Sequence, residues 1–125
     1  MSDEQPIDVV TRFCDAWSRL DLDEILAFFS EDAVYHNIPM DPVVGPDAIR
    51  AFIEGFTGSV ERLVFRVDHI AADGSTVLTE RHDIFTFANG EIDLPVMGTF
   101  EVADGKITAW RDYFDMNQFM SQMPV

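Results

Sequence analysis

The spacing of apolar residues changes once along the chain, from a helical period to a strand-like one. In the first half, apolar residues recur every three or four positions, as on one face of a helix, over residues 6–20, 21–29 and 45–56. Proline suits the first turn of a helix, and Pro6 and Pro46 stand at such positions. The first half therefore predicts three helices, with a short strand at 33–38.

The second half of the chain alternates in the manner of strands. Four such runs occur, at 63–72, 76–87, 91–102 and 106–114. Hairpin dipeptides separate them: Asp73-Gly74, Asn89-Gly90 and Asp104-Gly105. Consecutive hairpins predict an antiparallel meander, and the tail "DMNQFMSQM" predicts a short closing helix.

Helices followed by a meander predict an α+β fold. We expect three to four helices to pack on the concave side of a curved antiparallel sheet, forming a cone around an apolar pocket. The chain shows no linker, repeat or low-complexity segment, and its 125 residues suit one hydrophobic core. We therefore expect a single domain over residues 1–125.

Composition narrows the range of ligands. A formal net charge of −15 disfavours binding to nucleic acid and to anionic membranes, so the expected ligand is neutral or cationic.

No apolar run reaches membrane-spanning length and the N-terminus lacks a targeting pattern, so we expect a cytoplasmic protein. Eleven phenylalanines predict a Phe-rich core or a Phe-lined cavity.

Two strand faces mix charged and aromatic side chains. In the run at 106–114, one face holds Trp110, Asp112 and Phe114. In the run at 76–87, one face holds Arg81, Asp83, Phe85 and Phe87. Charged residues of strands mostly face solvent. If these two faces pointed to solvent, however, four large aromatic side chains would be exposed with the charges. We therefore expect both faces to be interior, where Arg81 can pair with Asp83 and Asp112. Buried triads also occur as purely structural features, so pairing alone does not imply catalysis.

Histidine and cysteine chemistry is not expected. On the same parity His36 and His82 point away from the acids, while the face of His69 is ambiguous. This does not support a nucleophile–His–Asp apparatus, and no histidine pair has the spacing of metal ligands. The single cysteine, Cys14, lies among apolar helix positions and is expected to be a small buried residue. We expect neither a metal nor a cofactor.

Three segments together resemble a known family. "TERHDIF", "WRDYFD" and "YHNIP" are similar to the limonene-1,2-epoxide hydrolase family, and the order of elements resembles its parent group, the ketosteroid-isomerase-like or NTF2-like cone. The resemblance extends from about Pro6 to Phe119, and "DGKITAWRDYFD" is its strongest part.

The resemblance implies roles for five residues. Arg81, Asp83 and Asp112 match the family's Asp–Arg–Asp triad, and Tyr35 and Asn37 match the pair that holds the hydrolytic water. It implies an epoxide hydrolase that adds water to a small, neutral, apolar epoxide, terpene-like or cyclic. The product is a vicinal diol, formed in one acid–base step without a covalent intermediate or a cofactor.

The resemblance also implies a homodimer formed through the outer face of the sheet. Leu78, Ile84 and either Leu63 or Val64 could supply that surface.

Two other functions remain open at this point. The first is another enzyme on the same cone, ketosteroid-isomerase-like or polyketide-cyclase-like, which uses one carboxylate as a base and no hydrolytic water. The second is a non-enzymatic binding module in which the same polar residues form a structural network. A lone base needs no arginine between two carboxylates, so the complete set of five residues favours the hydrolase.

Overall fold

The structure is a computed structural model that describes residues 4–124. The elements, in chain order, are α1 (Pro6–Ala16), a 3-10 turn (Trp17–Arg19), α2 (Leu22–Leu26), β1 (Phe29–Asn37), β2 (Val43–Val44), α3 (Pro46–Thr57), β3 (Arg62–Asp73), β4 (Thr76–Phe87), β5 (Gly90–Ala103), β6 (Lys106–Tyr113) and α4 (Met116–Gln122). The α+β class is confirmed. Among the described residues, no helix is long and apolar enough to cross a membrane.

The six strands form one sheet in the order β2-β1-β6-β5-β4-β3. Strands β3 to β6 make the predicted antiparallel meander. Strand β1, in contrast, lies parallel to β6, so the sheet is mixed and not antiparallel throughout. This pairing places Tyr35 beside Trp110 and Asn37 beside Asp112. Local patterns could not predict it, because a parallel partner need not be close in sequence.

The hairpins show why glycine occurs where it does. Asp104 and Gly105 have φ values of 52° and 76°, and two successive positive φ values are what a type I′ turn requires. Gly74 also has a positive φ, of 61°. In the middle hairpin the loop is Ala88-Asn89, and Gly90 already pairs with Phe87 in the sheet. The turn therefore lies one residue earlier than the dipeptide signal indicates.

Helix boundaries follow from capping residues. Helix α3 begins at Pro46 after Gly45, whose φ of 89° suits glycine. Helix α2 is capped by Asp21, whose carboxylate accepts a hydrogen bond from the Glu24 amide. It ends at Leu26, so the predicted second helix was too long and its last residue, Phe29, begins β1.

The core lies between the helices and one face of the sheet, with Phe13 of α1 at its centre. This fully buried ring makes edge-on contacts with rings of the helical half, the strands and the intervening loop: Trp17, Phe28, Phe29, Phe100 and Trp110. Aromatic pairs of this geometry stabilise a core beyond the area that they bury. Cys14 is buried beside Phe13, as predicted.

Candidate active site

Strand β4 carries two charged residues on its buried face. Arg81 and Asp83 alternate with the exposed Leu78 and Glu80, and the interior face predicted from parity is confirmed. Arg81 is 0% exposed and Asp83 is 4% exposed, and Asp112 on β6 is 3% exposed. Charges buried to this degree persist only where they are paired and hydrogen-bonded.

The Arg81 guanidinium holds both carboxylates. Its Nε and Nη2 donate to the two oxygens of Asp83 at 2.9 and 2.8 Å. Its Nη1 and Nη2 donate to the two oxygens of Asp112 at 3.1 and 2.8 Å. The remaining N–H of Nη1 reaches Thr79 Oγ1 at 3.2 Å. All five donors of the guanidinium are therefore used, which fixes its position.

The contact between Arg81 and Asp112 passes over strand β5 at a glycine. Gly98 pairs with Thr79 on one side and with Asp112 on the other. A Cβ at this position would lie 2.7 Å from Asp112 Oδ1 and 2.9 Å from Thr79 Oγ1, and would also collide with Arg81 Nη1. The triad can therefore form across the intervening strand only where that strand has no side chain.

The two carboxylates differ in their hydrogen bonds. Asp112 accepts from Trp110 Nε1 at 2.6 Å in addition to its two bonds from Arg81. Asp83 accepts from Arg81 alone among the described residues. Asp112 therefore has three hydrogen-bond donors and Asp83 has two.

Tyr35 and Asn37 lie beside the triad on β1. The Tyr35 ring stacks on Trp110, with centroids 4.2 Å apart and planes 7° from parallel. Its hydroxyl donates to Asn37 Oδ1 over 3.4 Å. The parallel register sets Asn37 beside Asp112, so all five residues predicted for the site come together.

Burial controls the ionisation of the site. It raises the pKa of Asp83 to about 6, although Arg81 acts in the opposite direction and Asp112 adds to the rise. Burial also raises the pKa of Tyr35, so its hydroxyl stays protonated. The pKa of the Cys14 thiol rises to about 12 for the same reason, which leaves that cysteine unreactive.

The acids open onto a cavity of about 390 Å³. Its polar lining consists of Tyr35, Asn37, Asp83 and Asp112. Six rings form much of the rest: Phe52, Phe56, Phe65, Phe85, Phe114 and Phe119. Arg81 lies behind the acids and does not line the cavity, so a bound molecule would meet the carboxylates and not the guanidinium.

The histidines lie elsewhere. His36 contacts the Met40 carbonyl oxygen, and His82 lies 2.7 Å from Asp93 on the outer face of the sheet. Both therefore point away from the acids, as predicted. His69, whose face the sequence left ambiguous, contacts exposed Glu80 at 2.8 Å.

Sequence reasoning missed three supporting residues. Thr79 shares the face of Arg81, and a hydroxyl two residues from an interior arginine indicates a further hydrogen-bond acceptor for it. Gly98 interrupts a strand, which often marks a close approach of other groups. The strand pattern places Trp110 on the interior face as a large aromatic side chain, but its indole N–H is also a donor to Asp112.

Comparisons with known proteins identify relatives with a named activity. The family model described as the limonene-1,2-epoxide hydrolase catalytic domain matches residues 4–125. Epoxide hydrolase EphG of Mycobacterium tuberculosis is 36% identical over 107 residues, which are 86% of this chain and 71% of that protein. The solved structure of an LEH-like epoxide hydrolase from M. tuberculosis has a TM-score of 0.83 and 33% identity, covering 94% of this chain and 87% of that one.

The fold is also shared with more distant structures. An NTF2-like protein from Burkholderia pseudomallei has a TM-score of 0.85 at 20% identity, with 100% of both chains covered. This likeness confirms the predicted cone. At that identity it concerns the fold alone, since one fold supports many functions.

Gly98→Ala should lower the free energy of unfolding by about 2–4 kcal/mol, since the new methyl group must displace Arg81 or Asp112 from a buried ion pair. Gly55→Ala in α3 is the matched control, because a Cβ there meets nothing within 4 Å. That variant should be at least as stable as the wild type. Urea denaturation measures both, and a Gly98→Ala protein as stable as the wild type would contradict the packing described.

Proposed function

This chain belongs to the limonene-1,2-epoxide hydrolase family, and from that membership we propose that it adds water to a small, neutral, apolar epoxide to give a vicinal diol. One observation supports this most: two carboxylates held by one buried arginine line the same apolar cavity. The epoxide is terpene-like or cyclic, and residues 1–125 act as one domain.

The reaction needs a base and an acid together. A nucleophile must reach an epoxide carbon, and the departing oxygen must receive a proton, because an alkoxide is a poor leaving group. A pair of carboxyl groups in different environments can divide these roles. Each role is expected to contribute roughly 100- to 10,000-fold to the rate.

Asp112 is the base. It takes a proton from a water held by Asn37 and Tyr35, and the water oxygen forms a bond to one epoxide carbon. Three hydrogen bonds, from Arg81 and Trp110, hold the Asp112 carboxyl group in position to accept that proton. The neutral Tyr35 hydroxyl orients Asn37 for the water.

Asp83 is the acid. Its pKa of about 6 leaves part of the population protonated near neutral pH, and that proton passes to the epoxide oxygen as the C–O bond breaks. Transfer of the proton gained by Asp112 back to Asp83 resets the pair. Arg81 orients both acids throughout, and the mechanism uses only this chain's side chains and water.

The cavity suits a neutral apolar substrate. Its size lies within the range of small-molecule sites, about 300–1,000 Å³, and its lining is mostly aromatic and aliphatic. An apolar wall places the epoxide by shape and leaves the few polar groups to act on its ring.

Asp112→Asn and Asp83→Asn should each lower kcat/KM for diol formation by at least about 100-fold, because each removes one proton-transfer group. Glu80→Gln is the control, since Glu80 lies on the same strand as Asp83 but on its exposed face. Diol formation is followed by gas chromatography on a panel of cyclic epoxides, with circular dichroism to check folding. Wild-type turnover by a folded Asp112→Asn protein on every epoxide would exclude the mechanism.

A single turnover in oxygen-18 water, with enzyme in excess over epoxide, should place the label in the diol. Direct attack by water requires this result, and mass spectrometry of the product measures it. If the first diol formed is unlabelled and the enzyme gains the label, a carboxylate attacked the epoxide and a covalent ester formed.

We further propose a homodimer through the outer face of the sheet. That face exposes large apolar side chains: Val64, Leu78, Met97 and Tyr113. Between the alternatives left by the sequence, Val64 is 40% exposed, whereas Leu63 is 1% exposed and belongs to the core. Met97 and Tyr113 are paired on neighbouring strands of this face, and methionine and aromatic side chains are enriched at protein interfaces.

Light scattering should give the mass of a dimer for the wild type and of a monomer for Leu78→Glu. Val44→Glu, which adds the same charge at an exposed position of edge strand β2, should remain dimeric. A monomeric wild type at micromolar concentration would exclude the interface.

A further inference from the structure

We propose that the cavity also binds organic monocations, in particular quaternary or protonated tertiary amines that carry an aromatic substituent, against Asp83 and Asp112. This ligand class goes beyond the proposed hydrolysis. It depends on the charge and lining of the resting cavity and not on turnover.

The triad of Arg81, Asp83 and Asp112 presents negative charge to the cavity. One arginine and two aspartates have a formal charge of −1 when both carboxyl groups are ionised. The five N–H donors of Arg81 are all directed to Asp83, Asp112 and Thr79, so none is left for a ligand. A bound molecule therefore meets a negative surface, since the carboxylates line the cavity and the guanidinium lies behind them.

The surrounding elements do not neutralise this charge. Strand β1 contributes Tyr35 and α1 contributes Cys14, and burial raises the pKa of both so that they stay neutral. None of the described lining residues is a lysine, arginine or histidine. His82 adjoins Asp83 in sequence but lies on the opposite face, where it contacts Asp93.

The aromatic lining of the cavity also favours a cation. The cavity contains six phenylalanine rings, contributed by α3, β3, β4, α4 and the segment that follows β6. Aromatic rings attract cations through their quadrupole, and more strongly where water is excluded. The fold already uses this interaction, because the Arg81 guanidinium carbon lies 4.7 Å from the Phe65 ring centroid.

Protons and organic cations should compete for the same negative charge. Burial raises the pKa of Asp83 to about 6, so the site loses charge as the pH falls through that value. Cation binding should therefore strengthen as the pH rises through about 6 and should release a proton near that pH. The proposed hydrolysis uses the protonated acid, so such cations inhibit it more strongly at higher pH.

A pair of isosteric ligands tests the proposal. The probes are 3-(hydroxymethyl)phenyltrimethylammonium and 3-tert-butylbenzyl alcohol, which differ in a positively charged nitrogen in place of a neutral carbon and have no group that ionises between pH 5 and pH 8. Titration calorimetry on the wild-type protein at pH 8 should give a Kd at least about tenfold lower for the cation. At pH 5 the difference should fall below about threefold, because the charge of the site is then reduced. Equal affinities at pH 8 would overturn the proposal.

Two variants locate the effect. Asp83→Asn removes the cavity charge and should abolish the preference for the cation, while Glu80→Gln removes a charge on the opposite face of the same strand and should leave the preference unchanged. An equal loss of preference in both variants would assign it to the overall charge of −15 and would overturn the proposal. Should Asp83→Asn fail to fold, the wild-type comparison at pH 8 still decides.

The outcome is separable from the proposed hydrolysis. A protein that prefers the cation but opens no epoxide would exclude the hydrolase mechanism and support this inference. A protein that opens epoxides but binds both probes equally would do the reverse.

Discussion

The ion pairs that buried Arg81 makes with Asp83 and Asp112 constrain the whole sheet. A guanidinium with 0% exposure is stable only if each of its donors has a partner, and here two carboxylates and a threonine hydroxyl supply five acceptors. Its partners come from two strands that are separated by a third, β5. The sheet must therefore keep its order and register, and β5 must have a glycine where the ion pair crosses it.

The same arrangement makes two identical side chains chemically different. Asp112 has an additional donor in Trp110, whereas Asp83 depends on Arg81 alone among its described partners. Burial destabilises the charged form of Asp83 and Arg81 stabilises it, and the balance raises the pKa of Asp83 to about 6. A site poised in this way can hold one proton near neutral pH, as acid–base hydrolysis requires.

The apolar cavity and the buried charge also explain each other. Both acids are almost completely buried beside phenylalanine rings, and these apolar surroundings strengthen the electrostatic interaction between the acids and any charged molecule bound in the cavity. Removing one partner of a buried ion pair strongly destabilises the folded protein, because the other charge is left unpaired. The residues of the triad therefore matter both for stability and for the proposed reaction. Hydrolysis of a neutral epoxide requires that one carboxyl group of the pair is protonated, whereas an organic cation would bind best when both are ionised.

Local periodicity in the sequence was sufficient to assign the side chains of the strands to their two faces and to order the hairpins. Alternation along β4 placed Arg81 and Asp83 on one face with phenylalanines, and the hairpin dipeptides set the order of β3 to β6. The parallel pairing of β1 with β6, which brings Asn37 beside Asp112, could be seen only in the folded protein. The same holds for the contact of Arg81 with Asp112 across Gly98. These contacts join residues far apart in the chain, and a repeat of two residues carries no information about which distant strand becomes a neighbour.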